Sequence, residues 1–191
     1  EAAAAADIYA FTGHKWACGP EGLGGVALSE RILNEGNPTV IGWRSLQDES
    51  KATLDSTDPF HHDSRRFEVA TSCVPLMAGL RASIALLDQE GDAHARRDRI
   101  QQLSGTLWEQ LQRINGVTPL LEVPPTSGLV SFQIDSSTPP ADWVRQLGAD
   151  GLWIRDLADP ACLRACTHVC TSDAEVSTLV DRISTISAQI R

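Results

Sequence analysis

Three groups of residues in this 191-residue chain have types and spacing that could do chemistry. The first is Lys15, set between His14 and Trp16 at the start of a glycine-rich run that ends Gly22-Leu23-Gly24-Gly25. Glycine has no Cβ and tolerates positive φ, so such a loop lets backbone approach backbone or ligand closely. A lysine held there has little conformational freedom and is expected to be partly withdrawn from water. Both conditions suit an amine that attacks a carbonyl. The second group is Arg155 and Arg164, the one near the end of an apolar strand-like segment and the other inside the next. An arginine fork binds a carboxylate through two parallel hydrogen bonds. Two structural ion pairs would use the same residues. The third group is Cys162, Arg164, Cys166, His168 and Cys170. Alternation puts them on one face if the segment is a strand. Their spacing matches no standard zinc pattern, so no metal is expected. His61 and His62 likewise lack a partner pattern such as HExxH and read as part of a solvated loop.

The elements that must position these groups follow from periodicity. Residues 7–11 read as a strand delivering the lysine loop, and 26–28 as a strand leaving it, with a helical turn over 29–33. Gly36-Asn37-Pro38 is turn chemistry. Residues 39–43 read as a strand or loop wall, and 47–66 as a long polar loop. Arg66 and Glu68 alternate on a strand-like segment and could support each other electrostatically. Leu76, Leu80, Ile84 and Leu87 recur at helical spacing, with Pro75 in the first turn and Gly79 permitting close packing. A second helix spans about 93–114, with a stripe of Ile100, Leu103, Leu107, Leu111 and Ile114. Arg96, Arg97 and Arg99 read as its solvated face. From residue 116 strands and helices alternate: strands over 117–123, 127–134, 152–157 and 162–170, and a helix over 141–147 with Thr138 as N-cap and Gly148 as its end. Ser172 and Glu175 form a capping box before a last helix that carries Val176, Leu179, Val180, Ile183, Ile186 and Ile190 on one face. The fold class is α/β, ending in a small α+β domain.

Apolar residues make up 42% and charged residues 21%, the balance of a globular protein with a real core. A net charge of −9 argues against a nucleic-acid or anionic-membrane surface. Five cysteines and no signal-like or membrane-length apolar run point to a reduced, cytoplasmic protein.

The run Thr12-Gly13-His14-Lys15-Trp16, followed by Cys18-Gly19-Pro20-Glu21-Gly22, resembles the class V aminotransferase and cysteine desulfurase family of pyridoxal-phosphate enzymes. Within that family it is most similar to the cyst(e)ine C–S lyase branch. The resemblance implies a fold-type-I scaffold: the end of a three-layer αβα large domain over 1–92, a connecting helix over 93–115 and the small domain over 116–191. It implies pyridoxal 5'-phosphate as cofactor, Lys15 as the Schiff-base lysine, and Thr12 and His14 as phosphate contacts. Arg66-Phe67-Glu68-Val69-Ala70-Thr71 resembles an element whose threonine reaches the phosphate bound by the partner subunit. That nominates Thr71 and implies a homodimer with shared sites. The segment from Ile154 to His168 resembles the one whose arginines hold the substrate carboxylate, which nominates Arg155 and Arg164. Trp43 matches a position near the substrate pocket, or packs.

The implied reaction is α,β-elimination on an L-amino acid, cysteine or cystine, yielding pyruvate and ammonia. A class V aminotransferase or a desulfurase-like activity is the alternative. The desulfurase branch places a persulfide cysteine in a Gly-His-His-Cys loop, and that loop is absent. The chain starts Glu1-Ala2, whereas the family's lysine lies mid-chain. The resemblance therefore implies a C-terminal half, without the aspartate that faces the pyridine nitrogen and the ring-stacking residue. A truncated, non-catalytic dimerising module is the further alternative. Residues 1–72 are expected to be less stable alone than the small domain.

Overall fold

The computed structural model describes residues 2–48, 50 and 59–189. The chain divides into two compact units, residues 1–87 and 88–191.

In the first unit a short helix α1 (Ala2–Ala5) precedes an antiparallel hairpin, β1 (Ile8–Thr12) and β2 (Gly24–Leu28), with Thr12 opposite Gly24. Both expected strands are present, the first shifted one residue toward the loop and the second extended toward it by two. The base of the hairpin is pinned by Asp7, which accepts from the Ser29 hydroxyl at 2.7 Å and from the Arg31 guanidinium. Those two hydrogen bonds, Arg31 first, hold the Asp7 carboxyl below its usual range. Ser29 also caps α2 (Glu30–Glu35), accepting from the Ile32 N–H at 3.3 Å. Residues 39–43 form no strand; Trp43–Ser45 is a 3₁₀ turn. The expected Arg66–Glu68 strand is a second 3₁₀ turn, Ser64–Phe67. Arg66 is buried and donates to the Leu33 carbonyl at 2.6 Å, at the end of α2. Glu68 pairs instead with Arg44 at 2.8 Å. A 3₁₀ repeat of three residues per turn separates positions that a strand would put on one side. Helix α3 (Val74–Gln89) closes the unit, with Pro75 in its first turn.

The second unit begins with α4 (Ala93–Gln112), capped by Asp92, whose carboxylate accepts from the Ala95 N–H at 2.8 Å. Its sheet has the order β3 (Val117–Pro119), β4 (Leu129–Ile134), β6 (Ala161–Cys166), β5 (Arg155–Ala158), antiparallel throughout. Helices α4, α5 (Pro140–Ala149) and α6 (Asp173–Gln189) bury Leu103, Leu107, Trp143, Leu147, Ile183 and Ile186 with Val130, Phe132, Leu163 and Ala165 of the sheet. The expected capping box is observed: Glu175 N–H donates to the Ser172 hydroxyl at 3.2 Å, and Ser172 N–H to the Glu175 carboxylate at 2.7 Å. Ile190 lies outside the described residues.

Several expectations in this unit shift. β3 stops at Pro119, although the Leu120 N–H still donates to the Ser131 carbonyl at 2.9 Å. β5 starts at Arg155, not at residue 152, so Arg155 opens the strand. Thr138 does not cap α5; Pro139 stands at the N-cap and Pro140 at the first helical position. Gly148 lies within α5, and its lack of a side chain makes room for the Trp153 ring: a Cβ there would meet Trp153 Cζ3 at 2.7 Å.

Every buried apolar residue among those described lies in the second unit. In the first unit Ile8, Val26, Trp43 and Ile84 are exposed. Two outcomes follow. Leu107→Ala, at 1% exposure, will cost about 2–5 kcal/mol, whereas Ile84→Ala, at 43%, will cost less than about 0.5 kcal/mol; denaturant unfolding checks both. Arg99 donates to Asp173 at 2.8 Å, tying α4 to the start of α6, and holds that carboxyl below its usual range. A lowered carboxylate stabilises the fold above the unfolded value, about pH 4, and loses that effect as pH falls through the folded value. Asp173→Asn will therefore lower Tm at pH 7, and the gap will close below about pH 4 in thermal melts.

Candidate active site

The loop between β1 and β2 is closed on itself. Gly13 N–H donates to the Leu23 carbonyl at 2.8 Å, one step past the Thr12–Gly24 pair. Gly19 N–H donates back to the Gly13 carbonyl at 2.7 Å, and Cys18 N–H to the Lys15 carbonyl at 2.9 Å. Two glycines are required for this closure. A Cβ on Gly13 would stand 2.9 Å from the Leu23 oxygen; one on Gly19 would stand 2.9 Å from the Gly13 oxygen and 2.7 Å from Leu80 Cδ1. Helix α3 supports the loop from below. Ser83 donates its hydroxyl to the Cys18 carbonyl at 2.9 Å, and Pro20 lies against Gly79. A Cβ on Gly79 would approach Pro20 to 3.2 Å, so the close packing expected of that glycine is present.

Lys15 sits at the start of the turn that Cys18 closes, with its side chain exposed. The expected partial withdrawal from water is not observed. Thr12, at the end of β1, and His14 are exposed beside it in sequence. The loop thus presents a primary amine, a hydroxyl and an imidazole from a backbone fixed by hydrogen bonds. An amine takes a carbonyl carbon; a hydroxyl and an imidazole take an anion such as phosphate.

Thr71 is exposed in the link between the second 3₁₀ turn and α3. The residues before it are held firmly. Ser45, fully buried, accepts from the Gly42 N–H at 3.1 Å and donates to the Glu68 carbonyl. Gly42 passes so close to Val69 that a Cβ would lie 2.0 Å from its carbonyl oxygen. Trp43 is 47% exposed, with the Arg44 guanidinium 5.6 Å from its ring centroid.

In the second unit Arg155 and Arg164 are directly opposite in the β5–β6 ladder, and Ser131 is opposite Arg164 in the β4–β6 ladder. Cross-strand partners share a face, so Ser131, Arg164 and Arg155 form one row. It lies on the face away from the helices, because the alternate residues Leu163 and Ala165 are in the core. Neither arginine has an ion pair or side-chain hydrogen bond among the described residues. Like charges directly opposite are destabilising, and an anion placed between them removes that cost and gains charge-assisted hydrogen bonds.

The cysteine–histidine alternation breaks after Cys166, where β6 ends. His168 and Cys170 belong to a turn in which Thr171 N–H donates to the His168 carbonyl at 2.9 Å. No cluster of three metal-ligating side chains occurs among the described residues. No helix among them is long and apolar enough to cross a membrane.

Sequence reasoning did not find Ser83 or Ser131. Ser83 follows Gly79 by one helical turn, and small residues at that spacing are a readable sign of a face that something approaches. Ser131 is recognisable only from strand register.

Comparison with known proteins bears on this geometry. The family model described as "Aminotransferase class-V" matches residues 2–184. Isopenicillin N epimerase of Amycolatopsis lactamdurans is 25% identical over 197 residues, which is 97% of this chain and 48% of that protein. A probable cysteine desulfurase of Xylella fastidiosa is 31% identical over 150 residues, 78% of this chain and 34% of that protein. Among solved structures, C-DES is 39% identical with a TM-score of 0.86, over 93% of this chain and 46% of its own, in a mutant with glycine covalently linked to the PLP cofactor. The same protein is described as a cystine C-S lyase in complex with its reaction product, cysteine persulfide. The chain spans about half the length of these relatives, or less. A match that runs through the hairpin, its lysine loop and both units makes the chain a member of the class-V aminotransferase family.

Proposed function

We propose that this chain contributes the lysine, two phosphate contacts and the substrate-carboxylate arginines of a pyridoxal-phosphate-dependent enzyme that cleaves cysteine or cystine by α,β-elimination. The observation that carries the reading is the lysine loop. Its amine is exposed, and its backbone is fixed by Gly13 and Gly19 contacts that leave no room for a side chain. These residues fit an aldehyde that also bears a phosphate. The likeness to C-DES, a cystine C-S lyase, supports the substrate class.

Pyridoxal phosphate, when bound, supplies an electron sink for charge at the substrate Cα. This chain's residues do the rest of the work assigned to it. Lys15 would hold the cofactor through Nζ, and that Nζ would be the base placed to take the substrate α-proton. Thr12 and His14 contact the phosphate, and Thr71 does so from a second copy in a homodimer with shared sites. Arg155 and Arg164 take the substrate carboxylate with their two forks and fix which bond at Cα and Cβ is aligned for cleavage. A thiolate-type group leaves Cβ, and the remainder hydrolyses to pyruvate and ammonia. The half of the relatives' length that this chain does not span would supply the remaining cofactor contacts.

Pyruvate release from L-cystine by the protein loaded with pyridoxal phosphate tests the reading. Lys15→Ala will abolish release. Arg155→Ala and Arg164→Ala will each raise KM about tenfold or more, the scale of one lost charge-assisted hydrogen bond. Keto-acid formation that requires an amino acceptor, with no pyruvate, would instead mark an aminotransferase and sink the lyase reading.

A further inference from the structure

We propose that Cys170 and Cys166 form a redox-active dithiol that exchanges with small, uncharged disulfides in a cavity of the second unit. It stands apart from the proposed lysine chemistry and needs none of it.

The cavity holds about 330 Å³ and is lined by both cysteines, with Leu107, Trp153 and Val176 as apolar wall. Both thiols are exposed, whereas Cys162 is buried. Cys170 lies in the turn after β6, which is fixed twice. His168 N–H donates to the Thr171 hydroxyl at 3.0 Å, and Thr171 N–H returns to the His168 carbonyl at 2.9 Å. That turn sets Cys170 Sγ 3.6 Å from His168 Nδ1. An imidazole in that position can accept the thiol proton as the sulfur attacks, and the thiolate is the nucleophile in exchange. Cys166, at the end of β6, is less activated: burial pushes its thiol up, Arg164 opposes this, and nearby Cys170 adds to it. The two residues, four positions apart in the chain, line the same cavity. The geometry therefore divides the roles, Cys170 attacking and Cys166 resolving.

The steps balance with the disulfide RS–SR as oxidant. Cys170 thiolate attacks one sulfur, the S–S bond breaks, a Cys170–S–SR bond forms, and RS⁻ leaves and is protonated. Cys166 thiolate then attacks the Cys170 sulfur, releasing the second RS⁻. The products are a Cys166–Cys170 disulfide and two RSH: the protein dithiol is oxidised and RS–SR is reduced. An apolar wall suits a small neutral disulfide, so 2-hydroxyethyl disulfide is the probe.

The full chain is treated with the probe, quenched with acid, and digested after arginine. Cys166 and Cys170 fall on one peptide, between Arg164 and Arg182, separate from Cys73 and Cys162. The expected result is that this peptide becomes lighter by two thiol hydrogens while Cys73, also exposed, remains largely a thiol. Cys166→Ser will trap the hydroxyethyl adduct on Cys170, and His168→Asn will slow its formation several-fold. Capping of Cys73 and Cys170 at equal rates would overturn the proposal. So would wild-type protein that accumulates the Cys170 adduct while Cys166 stays a thiol.

Discussion

The hydrogen bond from Gly19 N–H to the Gly13 carbonyl is the constraint on which the lysine site depends. It folds the β1–β2 connection onto itself and fixes where Lys15 leaves the backbone. It can form only because neither residue has a Cβ, since either would meet a backbone oxygen at 2.9 Å. The closed loop in turn needs a floor. Leu80 and Ser83 of α3 provide it, one by contact and one by a hydrogen bond to the Cys18 carbonyl. A reactive amine on a flexible loop would lose much of the orientation that catalysis requires. Here sequence chemistry, local closure and helix support act on the same few residues.

The two units differ in how they are held. The second unit has a conventional core, in which α4, α5 and α6 cover one face of a four-stranded sheet. Burial of side chains such as Leu107, Phe132 and Ile183 contributes about 1.5–3 kcal/mol each. The first unit is held by polar stitches: Asp7 to Ser29 and Arg31, Arg66 to Leu33, and Ser45 to Glu68. Among the described residues none of its large apolar side chains is fully buried, and several, Ile8, Val26, Trp43 and Ile84 among them, are exposed.

Much of this was legible in the sequence because it rested on local rules. The lysine loop announced itself through glycines, and the helices through stripes such as Leu103, Leu107 and Leu111. Ser172 and Glu175 signalled a cap by spacing alone. What was not legible depended on partners distant in sequence. Arg66 faces the end of α2 and not Glu68, because a 3₁₀ turn replaces the strand. β6 ends at Cys166, one step before the Thr167 N–H makes its last bond in the same register, to the Gly128 carbonyl. Gly148 lies inside α5 and makes room for the Trp153 ring, so this glycine serves packing and does not end the helix. The two arginines were nominated from sequence, but their exact pairing with each other and with Ser131 needed the strand register.

The most direct test of the central claim is to reconstitute the chain with pyridoxal phosphate, reduce it with borohydride and map the covalent adduct by peptide mass spectrometry. Lys15 and Lys51 are the only lysines, so the readout has a built-in reference. The account predicts the adduct on Lys15, its absence from Lys51, and loss of the adduct in Lys15→Ala. Labelling of Lys51 or the N-terminal amine to the same extent as Lys15 would contradict it.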